Sequence, residues 1–229
     1  MEQSKGLDGG TLKLIAAALM LTDHVGAILL PQVLILRCIG RLAFPVFAFS
    51  VAEGYTHTRD FRKYVLRMAV WAVVSEAPFN LENGLIFDLT RQNVLWTFCL
   101  ALLTLRGLDR LRREPGAIGY AGAALALAAG FAAGELLHVD YGGWGVLLVT
   151  LFYLTREVRN RWAIQLVGLA LFCWFCSAWR LEMLAMLSLI PLYLYNGERG
   201  FSNKALQYGF YAFYPVHILI LSVLARYVF

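Results

Sequence analysis

Charged side chains are scarce in this chain and missing altogether from long stretches of it. Asp, Glu, Lys and Arg make up 15% of its 229 residues, against 60% for hydrophobic types. A soluble domain carries about 25% charged and about 45–50% apolar residues. With a mean hydropathy of +0.64, the chain holds more apolar surface than one soluble core can hide, so lipid must face much of it. Strict polar–apolar alternation is lacking too, which excludes an outer-membrane barrel. Several motif classes are absent: no Walker loop, no dinucleotide-binding glycine fingerprint, no HExxH helix and no G-x-S-x-G elbow. No basic stripe with interleaved aromatics occurs, so the net charge of +5 does not point to nucleic acid as a partner. Cysteines number only four, all inside apolar spans. The C-x-x-C of Cys173 and Cys176 has no second pair, so packing is the better reading than zinc or redox chemistry, and no metal is expected. The first eleven residues include Asp8, Gly9 and Gly10 and lack the short basic start of a signal peptide, so the first apolar helix is expected to stay in the mature protein.

What is there is a series of continuous apolar runs of helical length. They predict an all-α, polytopic membrane bundle of about nine spans forming a single domain, 1–229. The spans read as 12–30, 33–52, 64–80, 93–108, 116–136, 143–156, 162–179, 182–196 and 205–228. The fourth, sixth and eighth are short, which favours tilt or partial burial. Basic residues alternate by loop. One side collects Lys5 and Lys13, then Arg59, Arg62, Lys63 and Arg67, then Arg106, Arg110, Arg112 and Arg113, then Arg156, Arg159 and Arg161, then Arg199 and Lys204; the other side has only Arg91 and Arg180. The positive-inside rule then predicts an N-in, C-out protein. The fifth span is rich in Ala and Gly, suited to close helix approach. No internal repeat is visible, so an inverted-repeat transporter has no support.

The few ionisable residues inside the spans need a reason, because each costs at least about 2.5–3.5 kcal/mol at bilayer depth. They are Asp23 and His24 on the first span, Arg37 and Arg41 on the second, Glu76 on the third and His217 on the last. At ~1.5 Å rise per residue, His24, Arg41, Glu76 and His217 all fall about 18 Å from the cytoplasmic edge. Four groups on four helices thus share one level. Each has a plain structural alternative: Arg41 could pair with Glu76, Asp23 could neutralise an arginine, and a lone membrane histidine often bonds a neighbouring helix. Two histidines at one depth, one beside a carboxylate, point instead to proton transfer. Asp23 and His24 are about 100° apart on a helix and need not bond each other; Asp23 is expected to hold His217 or an arginine. Arg37 and Arg41 share a helix face suited to an anion or oxyanion. Gly40 allows close approach there, Pro45 a bend, and Pro215 opens the backbone near His217.

After the second span, Glu53-Gly54-Tyr55-Thr56-His57-Thr58-Arg59-Asp60-Phe61-Arg62-Lys63 is strongly basic. It reads equally as an orientation signal or as a site for a phosphate-bearing donor. Candidate catalytic residues are therefore His24, Asp23 and His217. Candidate substrate-binding residues are Arg37, Arg41, Glu76, Glu53, Tyr55, Asn93 and Tyr214, and candidate donor-binding residues are Arg59, Arg62, Lys63 and Lys204.

At these same positions the chain resembles the TraX family of membrane acetyltransferases. The matching stretches are LKLIAAALMLTDHVG (12–26), RCIGRLAFPVFAFSVAEGYTHTRDFRKYVLRM (37–68), SEAPFNL (75–81), VDYGGWGVLL (139–148) and YNGERGFSNKALQYGFYAFYPVHILIL (195–221). The resemblance implies a compact relative of the acyltransferase-3 superfamily, with acetyl-CoA as a donor reached from the cytoplasm. It implies His24 as catalytic base, with Asp23, Arg37, Arg41, Glu76 and His217 as site partners. The family's founding role is N-terminal acetylation of conjugative pilin; the wider superfamily modifies sugars, lipids and surface polymers, so the acceptor stays open between amine and hydroxyl. The expected setting is the bacterial cytoplasmic (inner) membrane, with lipid, acetyl-CoA and an acceptor molecule or peptide as partners, and a homodimer left open. A proton-coupled transporter using the same His and Asp relay is the rival reading.

Overall fold

The computed structural model describes residues 6–228, apart from 83, 85–87, 89, 177–179 and 202; Lys5 of the charge pattern therefore lies outside the described residues. Among the described residues the chain is helical throughout, with two isolated bridges, Leu7 to Tyr195 and Gln92 to Val139. Four helical stretches are long and apolar enough to cross a bilayer: Gly9–Leu29, Leu34–His57, Gly116–Leu136 and Lys204–Tyr227. The protein is a helical membrane protein.

Helix α1 (Gly9–His24) starts on Asp8, whose carboxylate accepts the Thr11 N–H at 2.7 Å, and runs into a π-helical turn, Val25–Leu29. The second span is not one helix. It is α2 (Leu34–Gly40) and α3 (Ala43–His57), broken at Arg41 and Leu42. The bend expected at Pro45 therefore falls earlier. Pro45 sits in the first turn of α3, where an N–H has no intrahelical partner to lose. Next come α4 (Phe61–Glu82), α5 (Val94–Leu111), α6 (Gly116–Leu136), α7 (Gly142–Thr155) and α8 (Arg161–Cys176). The expected eighth span is a 3₁₀ stretch, Arg180–Ser188, and a five-residue α9 (Leu189–Tyr193) carrying Pro191, which cannot donate to a helical ladder. Finally α10 (Lys204–Val228) runs unbroken past Pro215.

Packing follows the small residues. On α6, Gly130 lies against Thr104 of α5, and Gly134 lies against the backbone of Gly142 and Gly143 at the head of α7. Side chains larger than hydrogen at either position would push the helices apart. Glu135 accepts the Gly143 N–H at 2.8 Å and so caps α7. Phe44, Phe98, Tyr141 and Phe172 stack into one aromatic core joining α3, α5, α7 and α8, with the Phe44 and Tyr141 rings 3.8 Å apart. Leu66, Val70 and Val73 of α4, with Ile118 and Leu125 of α6, turn outward and are exposed, as expected of surfaces that face acyl chains. α4 is flanked by α5 and α10, and α1 packs on α2, α3 and α10. That leaves an interior space walled by α1, α3, α4 and α10.

Candidate active site

Gly40 sets the geometry of the polar cluster. A Cβ there would overlap the Cα, Cβ and carboxylate of Asp23. With hydrogen in that place, α2 closes onto α1, and Arg37 and Arg41, one turn apart, both reach Asp23. Arg37 Nη1 donates to Asp23 Oδ2 at 2.8 Å, and Arg41 Nη2 donates to both carboxylate oxygens at 3.1 and 2.8 Å. The other Arg41 amino group, Nη1, donates to Glu182 of the 3₁₀ stretch at 3.3 Å. Arg41 is thus bracketed by two carboxylates, and the alternative pairing of Arg41 with Glu76 does not form.

Glu76 is committed elsewhere. Its Oε1 accepts the Asn93 side-chain amide at 2.5 Å, the Trp96 indole N–H at 2.9 Å and the Asn93 backbone N–H at 3.3 Å. Asn93 in turn caps α5 through the Leu95 N–H at 3.1 Å. Both fasten α4 to α5, and neither lines the cavity described below, where the other expected substrate-binding residues except Tyr55 stand. Tyr55 lines a second pocket and is likewise engaged between helices. With Tyr153 it donates to Asp109, each at 2.6 Å, tying α3, α5 and α7 together.

The two histidines meet. His217, only 5% exposed, places Nε2 3.0 Å from His24 Nδ1, and the ring centroids are 4.9 Å apart. Their proton positions follow from their partners. His217 Nδ1 lies 2.6 Å from the Phe213 carbonyl, which can only accept, so Nδ1 carries the proton. In a neutral ring Nε2 is then an acceptor. His24 Nδ1, which also lies 2.9 Å from the Met20 carbonyl, must be the donor to both. His24 Nε2 is left with its lone pair free. It faces Glu82, whose Oε2 is 3.9 Å away.

That nitrogen opens on a cavity of about 1170 Å³. At its inner end stand Asp23, His24, Arg37, Arg41, Glu82, Asp140 and Tyr214; at its basic end stand Lys13, Arg59, Lys63, Arg67 and Arg199. His217 does not line it and acts through His24. The Tyr214 oxygen accepts from the Val94 backbone N–H, which leaves the Tyr214 O–H as a donor on a ring whose centroid is 6.3 Å from that of His24. Asp140 is held by a backbone lock: its N–H donates to the Gln92 carbonyl at 2.9 Å, the Gln92 N–H donates to the His138 carbonyl at 3.0 Å, and Thr97 donates to the Asp140 carbonyl. Tyr141 follows in the left-handed region at φ 62°, a conformation costing about 1–2 kcal/mol for a residue with a side chain, and turns its ring into the aromatic core.

The basic residues sort differently from expectation. Arg59 and Lys63 line the cavity, whereas Arg62 lines a separate pocket with Arg106 and Arg156, and Lys204 lines neither. Glu53 lines the main cavity and accepts from Tyr195 at 3.4 Å. Sequence reasoning missed Glu82, Asp140 and Glu182. Glu82 and Asp140 sit at a helix end and in a loop, where charges are unremarkable; Glu182 heads a stretch whose packing no periodicity announces.

The comparisons with known proteins bear on this geometry. The family model described as TraX protein matches residues 8–225. The chain belongs to the TraX family. The match runs from the first cap into the last turn of α10 and takes in every residue of the cavity. The chain is also similar to a protein named probable fimbrial assembly protein FimC, serogroup H1, from Dichelobacter nodosus, with 32% identity over 235 residues, 92% of each chain. No solved structure matches. Membership extends over the TraX stretches that carry Asp23 and His24, Arg37 and Arg41, and His217.

Proposed function

We propose that the protein is an integral membrane acetyltransferase that moves an acetyl group from acetyl-CoA to an amine or hydroxyl acceptor. The observation carrying this reading is the free lone pair of His24 Nε2 at the inner end of a cavity whose other end is basic. The TraX family's link with pilin acetylation agrees with it, and the fimbrial-assembly name of the Dichelobacter relative favours a pilus-type subunit, with envelope sugars or lipids as the other acceptor class. The proposed setting is the bacterial inner membrane, about nine passes, N-terminus and basic rim in the cytoplasm.

His24 Nε2 takes the proton of the acceptor N–H or O–H as the nucleophile attacks the thioester carbonyl. The Tyr214 O–H, whose oxygen accepts from the Val94 N–H, is the donor proposed for the tetrahedral oxyanion. Arg41, whose helix face suited an oxyanion, is instead held by Asp23 and Glu182, and His217 faces His24. His217 fixes the His24 tautomer, and Glu82 faces the imidazolium once formed. The C–S bond breaks, His24 returns its proton to the departing thiolate, and the products are the acetylated acceptor and free thiol. Asp23 holds Arg37 and Arg41 and so keeps α2 against the site.

The test is a mass-spectrometric comparison of cells with and without the protein for molecules carrying an acetyl group, with His24→Ala alongside. Acetylated products that vanish in both the null and the His24→Ala strain are the expected result. An acetylome unchanged by loss of the protein overturns the reading; solute flux in proteoliposomes without thioester consumption would move it to a proton-coupled transporter.

A further inference from the structure

Two half-buried cations of the cavity wall, Lys13 and Arg67, have no ion-pair partner among the described residues, and the exposed, equally unpaired Arg199 stands beside Lys13. Lys13 of α1, Arg67 of α4 and Arg199 of the α9–α10 loop all line the cavity. None forms an ion pair among the described residues, whereas Arg37, Arg41 and Lys63 each do. Lys13 and Arg199 lie within electrostatic reach of each other with like charge. The Arg67 Nε is buried and has no hydrogen-bond partner among the described residues, while the guanidinium neighbours the Tyr211 hydroxyl. Like charges brought together in a partly dry space, with a donor left unused, cost free energy unless an anion joins them.

We infer that Lys13, Arg67 and Arg199 form an anion site for the phosphate groups of a long-armed acyl donor. The inference rests on the acetyltransfer reading and deepens it. Spacing supports it. Lys13 is eleven residues before His24 on α1, about 16 Å along the helix, and Arg67 is fifteen residues before Glu82 on α4, about 22 Å. The wall between is uncharged, with Phe47, Met68, Phe98 and Phe210. A ligand filling this space carries its phosphates at one end and its reactive carbonyl at the other, joined by an uncharged arm. Arg62 and Lys204 stand outside this line. A phospholipid headgroup offers the same phosphate chemistry, so the test separates the two sources.

Binding of coenzyme A and of pantetheine, which keeps the arm but has no phosphate, is measured on the full chain in zwitterionic nanodiscs. Wild type and His24→Ala are expected to prefer coenzyme A by about tenfold or more. In Lys13→Ala and Arg67→Ala the preference falls toward one while pantetheine binding is kept, which shows the fold intact; Arg67→Lys restores part of it. A preference unchanged in both alanine variants overturns the site and leaves the acetyltransfer reading standing. Coenzyme A that fails to bind wild type, with inorganic pyrophosphate binding and lost in the variants, keeps the anion site and removes acetyl-CoA as donor. Sensitivity of the variants only to added phosphatidylglycerol, with no soluble phosphate bound, overturns the site in favour of a lipid contact.

Discussion

At the scale of single residues, the arrangement turns on which nitrogen holds which proton. The Phe213 carbonyl dictates the tautomer of His217, and His217 dictates that of His24. His217→Gln retains an acceptor for the His24 Nδ1–H, whereas His217→Leu removes it. Acetyl transfer by His217→Leu is expected to fall in kcat more than by His217→Gln. His24→Ala should lose the general-base factor of about 10²–10⁴. A single-turnover assay on purified protein separates these effects from binding. Equal rates in the two His217 variants would break the tautomer argument. Asp23→Ala leaves Arg37 and Arg41 facing each other without their shared carboxylate, and breaking such a buried pair costs about 3–5 kcal/mol. Its thermal midpoint in detergent is expected to drop well below that of wild type, before any kinetic comparison is meaningful.

Between elements, the decisive contact is α1 against α2. Gly40→Ala places a methyl where Asp23 already is, so α2 must retreat and the arginines with it. Activity and thermal stability are expected to fall together, and Gly40→Ser should be worse. By contrast, Asn93 belongs to the α4–α5 fastening and not to the cavity. Loss of this cap in Asn93→Ala costs about 0.5–2 kcal/mol. Its expected signature is a lower melting temperature with kcat/KM per folded molecule unchanged; a raised KM at constant stability would return Asn93 to the substrate site.

For the whole molecule, the exposed apolar faces of α4 and α6 and the basic cavity mouth set an orientation. With the basic rim in the cytoplasm, a reporter fused after α10 is expected to be active only on the outer side of the membrane, and a cysteine replacing Arg59 should react with impermeant thiol reagents only from inside. A cytoplasmic reporter at the C-terminus would change the pass number, most economically by taking the short 3₁₀–α9 stretch out of the set of spans. The acetyltransfer proposal requires that same orientation, with the donor's long arm entering where the cations are and the reacting atoms toward the opposite face.

Hydrophobicity and length by themselves determined that this is a helical membrane protein, because no other backbone arrangement satisfies its N–H and C=O groups in lipid without alternation. The cost of intramembrane charge likewise singled out Asp23, His24, Arg37, Arg41 and His217, which do meet. Glu76 obeys the same rule yet takes an amide and an indole on its Oε1 and no arginine, and in sequence such a carboxylate looks no different from one paired with a cation. Only tertiary structure decided which partners each charge took, that the second span breaks at Arg41, and that Glu82, Asp140 and Glu182 join the site from a helix end, a loop and a 3₁₀ turn. Those are contacts between distant segments, fixed by how closely glycines such as Gly40 let helices approach, and no local periodicity encodes them.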